Sequence, residues 1–211
     1  MSICRAVLLG IAASVFLQPV SGQPFDYVST YSGWVSLNDY EGESLGTPRI
    51  GTFSDGWLLG GALGKNLCNC YRFETEFFYR NNRSDQWTGP LGTVDWDGRF
   101  NNFSSMANLL KDFQALKWHH STPYAGGGIG AAYLDGEFTT PVSSYEIDET
   151  VFAFQGIAGV RTQLTCRLSL LTEYRYFGTS NARLVELSSG GVGGTFGYDS
   201  HNAMIGLSLS R

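Results

Sequence analysis

Charge is scarce in this chain: 16% of its 211 residues are Asp, Glu, Lys or Arg, against about 25% in an ordinary soluble domain. With 43% apolar residues, the chain is too poor in charge for a disordered polyampholyte, and its length fits one folded domain. It has no run of Lys or Arg, and its formal charge is −5. The basic footprint that backbone-tracking nucleic-acid binders need is therefore missing, which excludes nucleic acid as a partner. Long hydrophobic runs are absent too. No stretch of 18 or more apolar residues follows residue 22, which excludes a helical membrane protein. Glycine, at 27 residues, and aromatics, at 14%, take the place of charge.

Residues 1–22 read as a secretory signal peptide: Arg5, an apolar run from Ala6 to Leu17, then Val20 and Gly22 at −3 and −1 of a cut before Gln23. Losing Arg5 reduces 14 Lys and Arg to 13 against 19 Asp and Glu, so residues 23–211 carry −6. Cys4 precedes the apolar run, which argues against a lipoprotein. Cys68, Cys70 and Cys166 remain, an odd number that leaves at least one thiol unpaired or intermolecular in an exported protein. That count does not suit a disulfide framework.

Beyond the leader the pattern has period two. Tyr71, Phe73, Thr75, Phe77 and Tyr79 alternate with Arg72, Glu74, Glu76, Phe78 and Arg80. Leu168, Leu170, Thr172, Tyr174 and Tyr176 alternate in the same way with Ser169, Leu171, Glu173, Arg175 and Phe177. From Phe152 to Leu164, the face carrying Phe154, Ala158 and Val160 opposes Gln155, Arg161 and Gln163, and Ile205, Leu207 and Leu209 repeat the scheme at the C-terminus. Further strands are expected at 57–64, 103–113 and 124–134, with a first at 30–38 in which either Trp34 or Val35 faces the apolar side. The total is eight.

Links between strands alternate short and long. Short ones fall at 65–70, 114–122 and 165–166, and long ones at 39–56, 81–102, 135–149 and 178–201. Strands of about 10 residues with short turns at one end and long polar loops at the other predict an eight-stranded antiparallel up-and-down transmembrane β-barrel spanning residues 23–211. Its partners would be outer-membrane lipid and the barrel-insertion machinery. Eight strands enclose a backbone cylinder about 16 Å wide, which side chains largely fill, so an open diffusion pore is not expected. Inward Arg72, Glu74, Glu76, Arg161, Glu173 and Arg175 should then form a paired polar plug, since an isolated buried charge costs several kcal/mol. Glycines 126, 128 and 130 would make room inside the wall. A gated or minor ion leak stays open.

The runs Tyr71 to Tyr79, Ser105 to Phe113 and Pro123 to Gly130, with Ala158-Gly159-Val160 ahead of Leu168 to Tyr176, resemble the OmpA-like outer-membrane β-barrel family, which includes opacity-type surface antigens. The resemblance covers nearly all of residues 23–211. It implies an eight-stranded barrel in the bacterial outer membrane whose surface loops engage hosts or neighbours, without enzymatic activity in most members. Such barrels usually end on an aromatic residue read by the insertion machinery, whereas this chain ends Leu209-Ser210-Arg211.

Candidate chemistry is thin. His119 and Ser121 match a two-apart base and nucleophile, the pattern of a barrel enzyme acting on envelope lipid such as a lipid A deacylase. They sit in a predicted periplasmic turn without an evident orienting acid, so no catalytic residue is assigned. Asp199-Ser200-His201 holds triad residue types, but three consecutive residues do not converge on one atom. Cys68 and Cys70 lie in one turn and Cys166 in another across the ring, so a bond between the two turns would require them to fold inward, and a strained Cys68 to Cys70 bond or intermolecular pairing stands equally beside it. No metal or cofactor is assigned. In the long loops, Trp87 and Trp96 are the candidate recognition residues, because aromatic anchors dominate binding surfaces. The competing reading is a soluble exported lipocalin-like ligand-binding barrel, which would bury the apolar stripes.

Overall fold

A computed structural model describes residues 24–44, 47–67, 70–89, 92–95, 97–139, 144–186 and 192–211. The predicted signal peptide, residues 1–22, lies outside the described residues, as do Cys68 and Trp96. Eight strands form the ring: β1 (Tyr27–Leu37), β3 (Thr47–Asn66), β4 (Tyr71–Gly89), β6 (Asp97–Asp112), β7 (Ser121–Thr139), β8 (Ser144–Gln163), β9 (Leu168–Thr179) and β12 (Asp199–Ser210). Four short strands, β2 (Tyr40–Ser44), β5 (Gly92–Asp95), β10 (Ala182–Glu186) and β11 (Val192–Phe196), attach at one end. Each ring strand pairs antiparallel with its neighbours, and β1 pairs with β12 to close the circle. Closure matters because it leaves no ring strand with an unpaired edge.

The register can be followed once round. Tyr27 faces Gly64, then Glu74, Asn108, Gly128, Gln155, Phe177 and Ser200, and the path returns to β1 at Leu37, ten residues from its start. A stagger of ten over eight strands tilts them by about 40° and sets a backbone diameter of about 16 Å. That interior is wide enough for side chains and little else. Gly128 shows how tight it is: a Cβ there would collide with the Asn108 side chain on β6. The inward glycines 126, 128 and 130 thus make room for Leu110, Asn108 and Met106.

The outward face explains why this sheet does not sit in water. Trp34, Leu59, Phe73, Phe77, Phe103, Leu109, Ile129, Phe154, Tyr174, Ile205 and Leu207 are all exposed. On β4 the outward positions run Tyr71, Phe73, Thr75, Phe77, Tyr79 without a charge, a height of about 20 Å along the membrane normal at this tilt. Lys111, whose ammonium lies over the Tyr71 ring at 5.5 Å, marks the lower rim. Trp57, Tyr79 and Phe103 form a contiguous aromatic belt at the upper rim, with ring centroids 5.3 and 4.7 Å apart. An apolar band between two interfacial girdles is the signature of a transmembrane barrel. The open question in the first strand is also answered: Trp34 is 68% exposed toward lipid and Val35 is fully buried in the lumen.

One expectation needs correcting. The long links are not coil, for ring strands continue through most of them as paired β-structure, so that β3, β4, β7 and β8 reach 19 or 20 residues. Polar stretches such as Asp97 to Asn102 have little strand propensity of their own. Their backbone groups are nevertheless paired on both sides, to β4 from Arg99 upward and to β7 throughout, and that pairing outweighs local preference. At the other end the links are short, as expected, with a single described 3₁₀ turn at Gln114–Leu116.

Candidate functional site

The lumen is a ladder of charge. Near the end with the short turns the Arg161 guanidinium donates to Asp112 at 2.7 Å, and Asp112 also accepts from Arg72 Nε at 3.1 Å. Arg72 continues to Glu74 at 3.0 Å, where the Tyr27 hydroxyl donates as well, at 2.6 Å. One level up, Glu173 accepts from Tyr124 and from Arg175, and Arg175 reaches across to Glu76 at 2.5 Å. Gln155 then ties Glu76 to Asn108. All six residues expected in the plug are therefore found together, and Arg161 alone among them stays partly open, at 27% exposure.

Their partners were harder to foresee. Asp112 completes the lowest rung, yet it stands at a strand end where an acid reads equally well as turn chemistry; only its even spacing from Asn108 and Leu110 places it inward. Tyr27 and Tyr124 read as apolar residues, but each spends its hydroxyl on a lumen carboxylate. Arg72 also lies over the Tyr124 ring at 4.6 Å, and Arg175 over Phe78 at 5.0 Å, so aromatic faces help solvate the guanidinium groups that water does not reach.

Above the ladder the lumen turns apolar. Phe100 stacks on Tyr198 at 5.3 Å and meets Phe196 at 5.2 Å, with Leu37, Leu134, Ile147 and Phe177 buried around them. The Tyr198 hydroxyl donates to Asn82, whose amide donates to the backbone carbonyls of Val35 and Ser54, tying the cap to the wall. Arg80 sits beneath this cap, bonded to Ser104 at 2.7 Å and stacked on Phe177 at 4.0 Å. Polar ladder and apolar cap follow one another along the bore among the described residues.

The other candidates disperse. Ser121 pairs its hydroxyl with Thr162 at 2.9 Å, while His119 packs edge-on against Trp118 in an exposed turn, so the two do not form a base and nucleophile pair. Asp199 accepts from Tyr176, Ser200 is buried inward, and His201 bonds Tyr174 on the outer face, which sends the three consecutive residues in different directions. Cys70 and Cys166 are exposed free thiols. Among the described residues no group of three metal-ligating side chains occurs. Trp96 lies outside the described residues, and so does the side chain of Trp87.

Fold and lumen define the class: an eight-stranded transmembrane β-barrel whose interior holds a charged and aromatic side-chain network. Two of the solved structures that match illustrate the shared fold. The outer membrane protein OprG from Pseudomonas aeruginosa matches with a TM-score of 0.64 at 15% identity, over 91% of this chain and 99% of that one. Neisserial surface protein A matches with a TM-score of 0.57 at 17% identity, over 88% of this chain and 96% of that one. No protein-family model matches the chain, and no curated protein does. At these identities the likeness is one of fold.

Proposed function

We propose that the protein is exported by cleavage after residue 22, inserts into the bacterial outer membrane through the barrel-insertion machinery, and works there as a surface-interaction barrel of the opacity type. It carries no cofactor and performs no catalysis. The observation behind this reading is the pairing of a bore crowded with bonded side chains with a raised rim. On β7 the ladder continues from Tyr133 at the lipid boundary to Thr139, and its partner β8 runs the same distance from Thr150 back to Ser144. A wall built that far above the bilayer, around an interior with no clear path, serves contact better than passage. Trp87 and Trp96 belong to this raised region by sequence and supply aromatic anchors. One structural neighbour is itself named as a surface protein.

Two measurements test it. Membrane-extracted protein run in SDS should migrate faster unboiled than boiled, and absence of that shift with protein in the soluble periplasm would point to the lipocalin-like alternative. A non-adherent bacterial host expressing the chain should gain adherence to host-cell monolayers. That gain should fall in the Trp87→Ala, Trp96→Ala double variant while the gel shift is unchanged. Folded barrel with no gain in adherence would overturn the surface-interaction role.

A further inference from the structure

On the outer wall, β4 and β6 place two arginines directly opposite each other. Arg83 pairs in register with Arg99, both exposed, four residues above Tyr79 and Phe103 on their respective strands. Like charges facing across a ladder destabilise it unless something of opposite sign stands between them. The described residues do not supply it. Glu137 stands opposite Arg99 on β7, and Asp55 lies in the irregularity of β3 beside Arg83. Yet among the described residues no carboxylate comes within 4.0 Å of either guanidinium.

The row beneath the arginines is made of amides. Asn101 Oδ1 accepts both the Tyr79 hydroxyl and Asn81 Nδ2, each at 2.8 Å. Its carbonyl oxygen is thereby committed, and its Nδ2 has no partner among the described residues. Reading upward from the lipid, this patch presents aromatic rings, then an amide donor, then two guanidinium groups that no carboxylate pairs with among the described residues. Four residues at this tilt lift the arginine backbone about 10 Å above the aromatic belt. Long side chains reaching back toward the boundary set their charge at the level of the outer-leaflet headgroups.

We propose that Arg83, Arg99 and Asn101 form a binding site for a phosphate group carried by an outer-leaflet lipid. The inference rests on the transmembrane reading, because the belt is what sets the height. A phosphate offers three acceptor oxygens to planar donors that bind such groups bidentately, and it neutralises the opposed pair. An acidic surface of a second copy is the competing occupant, since Asp135 and Asp148, and Glu137 and Glu146, face each other on the neighbouring β7–β8 hairpin.

The test uses the full exported chain in nanodiscs of zwitterionic phosphatidylcholine doped with a phosphorylated glucosamine lipid or with its phosphate-free counterpart. Lipid retained after transfer to detergent is counted by native mass spectrometry. The wild-type protein should retain the phosphorylated lipid, and the Arg83→Gln, Arg99→Gln variant should hold it about thirtyfold more weakly. Arg167→Gln, in an exposed turn at the opposite end, should behave as wild type. Inorganic phosphate at millimolar concentration should not displace the lipid. Equal retention of the phosphate-free lipid, or unchanged retention in the double variant, would overturn the proposal. So would loss of a dimer with no change in bound lipid, which would assign the patch to a second copy. The SDS gel shift on the same samples separates a failed site from a failed barrel: with the shift present, only the phosphate site is in question.

Discussion

Arg175 and Glu76 are 99 residues apart in sequence and meet at 2.5 Å in the middle of the lumen, where both side chains are fully buried. Arg175 also holds Glu173 at 2.6 Å, so one cation serves two carboxylates from opposite walls. Removing it leaves both acids buried without a counter-charge, held only by Gln155 and Tyr124. Arg175→Met should therefore cost about 3–5 kcal/mol. Replacing all three residues by Met or Leu should cost much less, because the desolvation of the charges disappears with them. Urea unfolding followed by the compact band on gels measures both, and a single variant as stable as wild type would show that the ladder is hydrated rather than paired.

Lipid contact makes a depth-dependent prediction. Thr75 and Thr172 face outward midway along the apolar runs Tyr71 to Tyr79 of β4 and Leu168 to Tyr176 of β9, while Ser36 faces outward two residues beyond Trp34. Arg at position 75 or 172 should cost about 2–4 kcal/mol, and Ser36→Arg about 1 kcal/mol or less, because the penalty falls toward the interface. Equal, small effects at all three positions in lipid vesicles would mean that the stripe does not meet hydrocarbon.

The barrel was legible in the sequence because lipid and lumen impose opposite demands on alternate residues, so Phe73 beside Glu74 and Tyr174 beside Arg175 are informative one residue at a time. Every expected strand is present. What was not legible is what depends on neighbours. Trp34 and Val35 are both apolar, and only the partner strands decide which turns inward. Tyr27, Asp112 and Tyr124 join the ladder through a register that aligns 27 with 74 and 124 with 173, each pair separated by one strand, and no local pattern encodes it. The raised rim was missed for a related reason: residues such as Asn101 and Asp97 are held in strands by their neighbours' backbones and not by their own propensity.

Glycine positions separate the two faces. A Cβ at Gly128 would run into the Asn108 side chain and the Ala107 carbonyl, whereas a Cβ at Gly156, on the lipid face of the adjoining strand, meets nothing within 4 Å. Gly128→Ala should destabilise by about 1–3 kcal/mol through overpacking. Gly156→Ala should be neutral or stabilise by about 0.4–1 kcal/mol, since it removes freedom only from the unfolded chain. Thermal loss of the compact gel band compares the two, and the reverse order would contradict the assigned register.

Glu149 ties the rim together in a way that depends on pH. Beyond the point where β9 leaves β8, its carboxylate accepts the Arg183 backbone N–H at 2.8 Å and the guanidinium at 3.1 Å, fastening β10 to the wall. That backbone hydrogen bond, helped by the guanidinium, holds the carboxyl below its usual range. A depressed folded-state value means that the stabilisation is complete above the unfolded carboxylate range and is lost as pH falls through the folded one. Amide exchange at Arg183 should therefore be slow at neutral pH relative to its intrinsic rate and lose its protection in acid. Glu149→Gln should remove most of the protection at neutral pH and flatten the pH dependence. The exposed site makes salt weaken the guanidinium contribution while sparing the backbone hydrogen bond. Protection at Arg183 that is the same at both pH values, or unaffected by Glu149→Gln, would show that β10 is held by its pairing at Val185 and Glu186 alone.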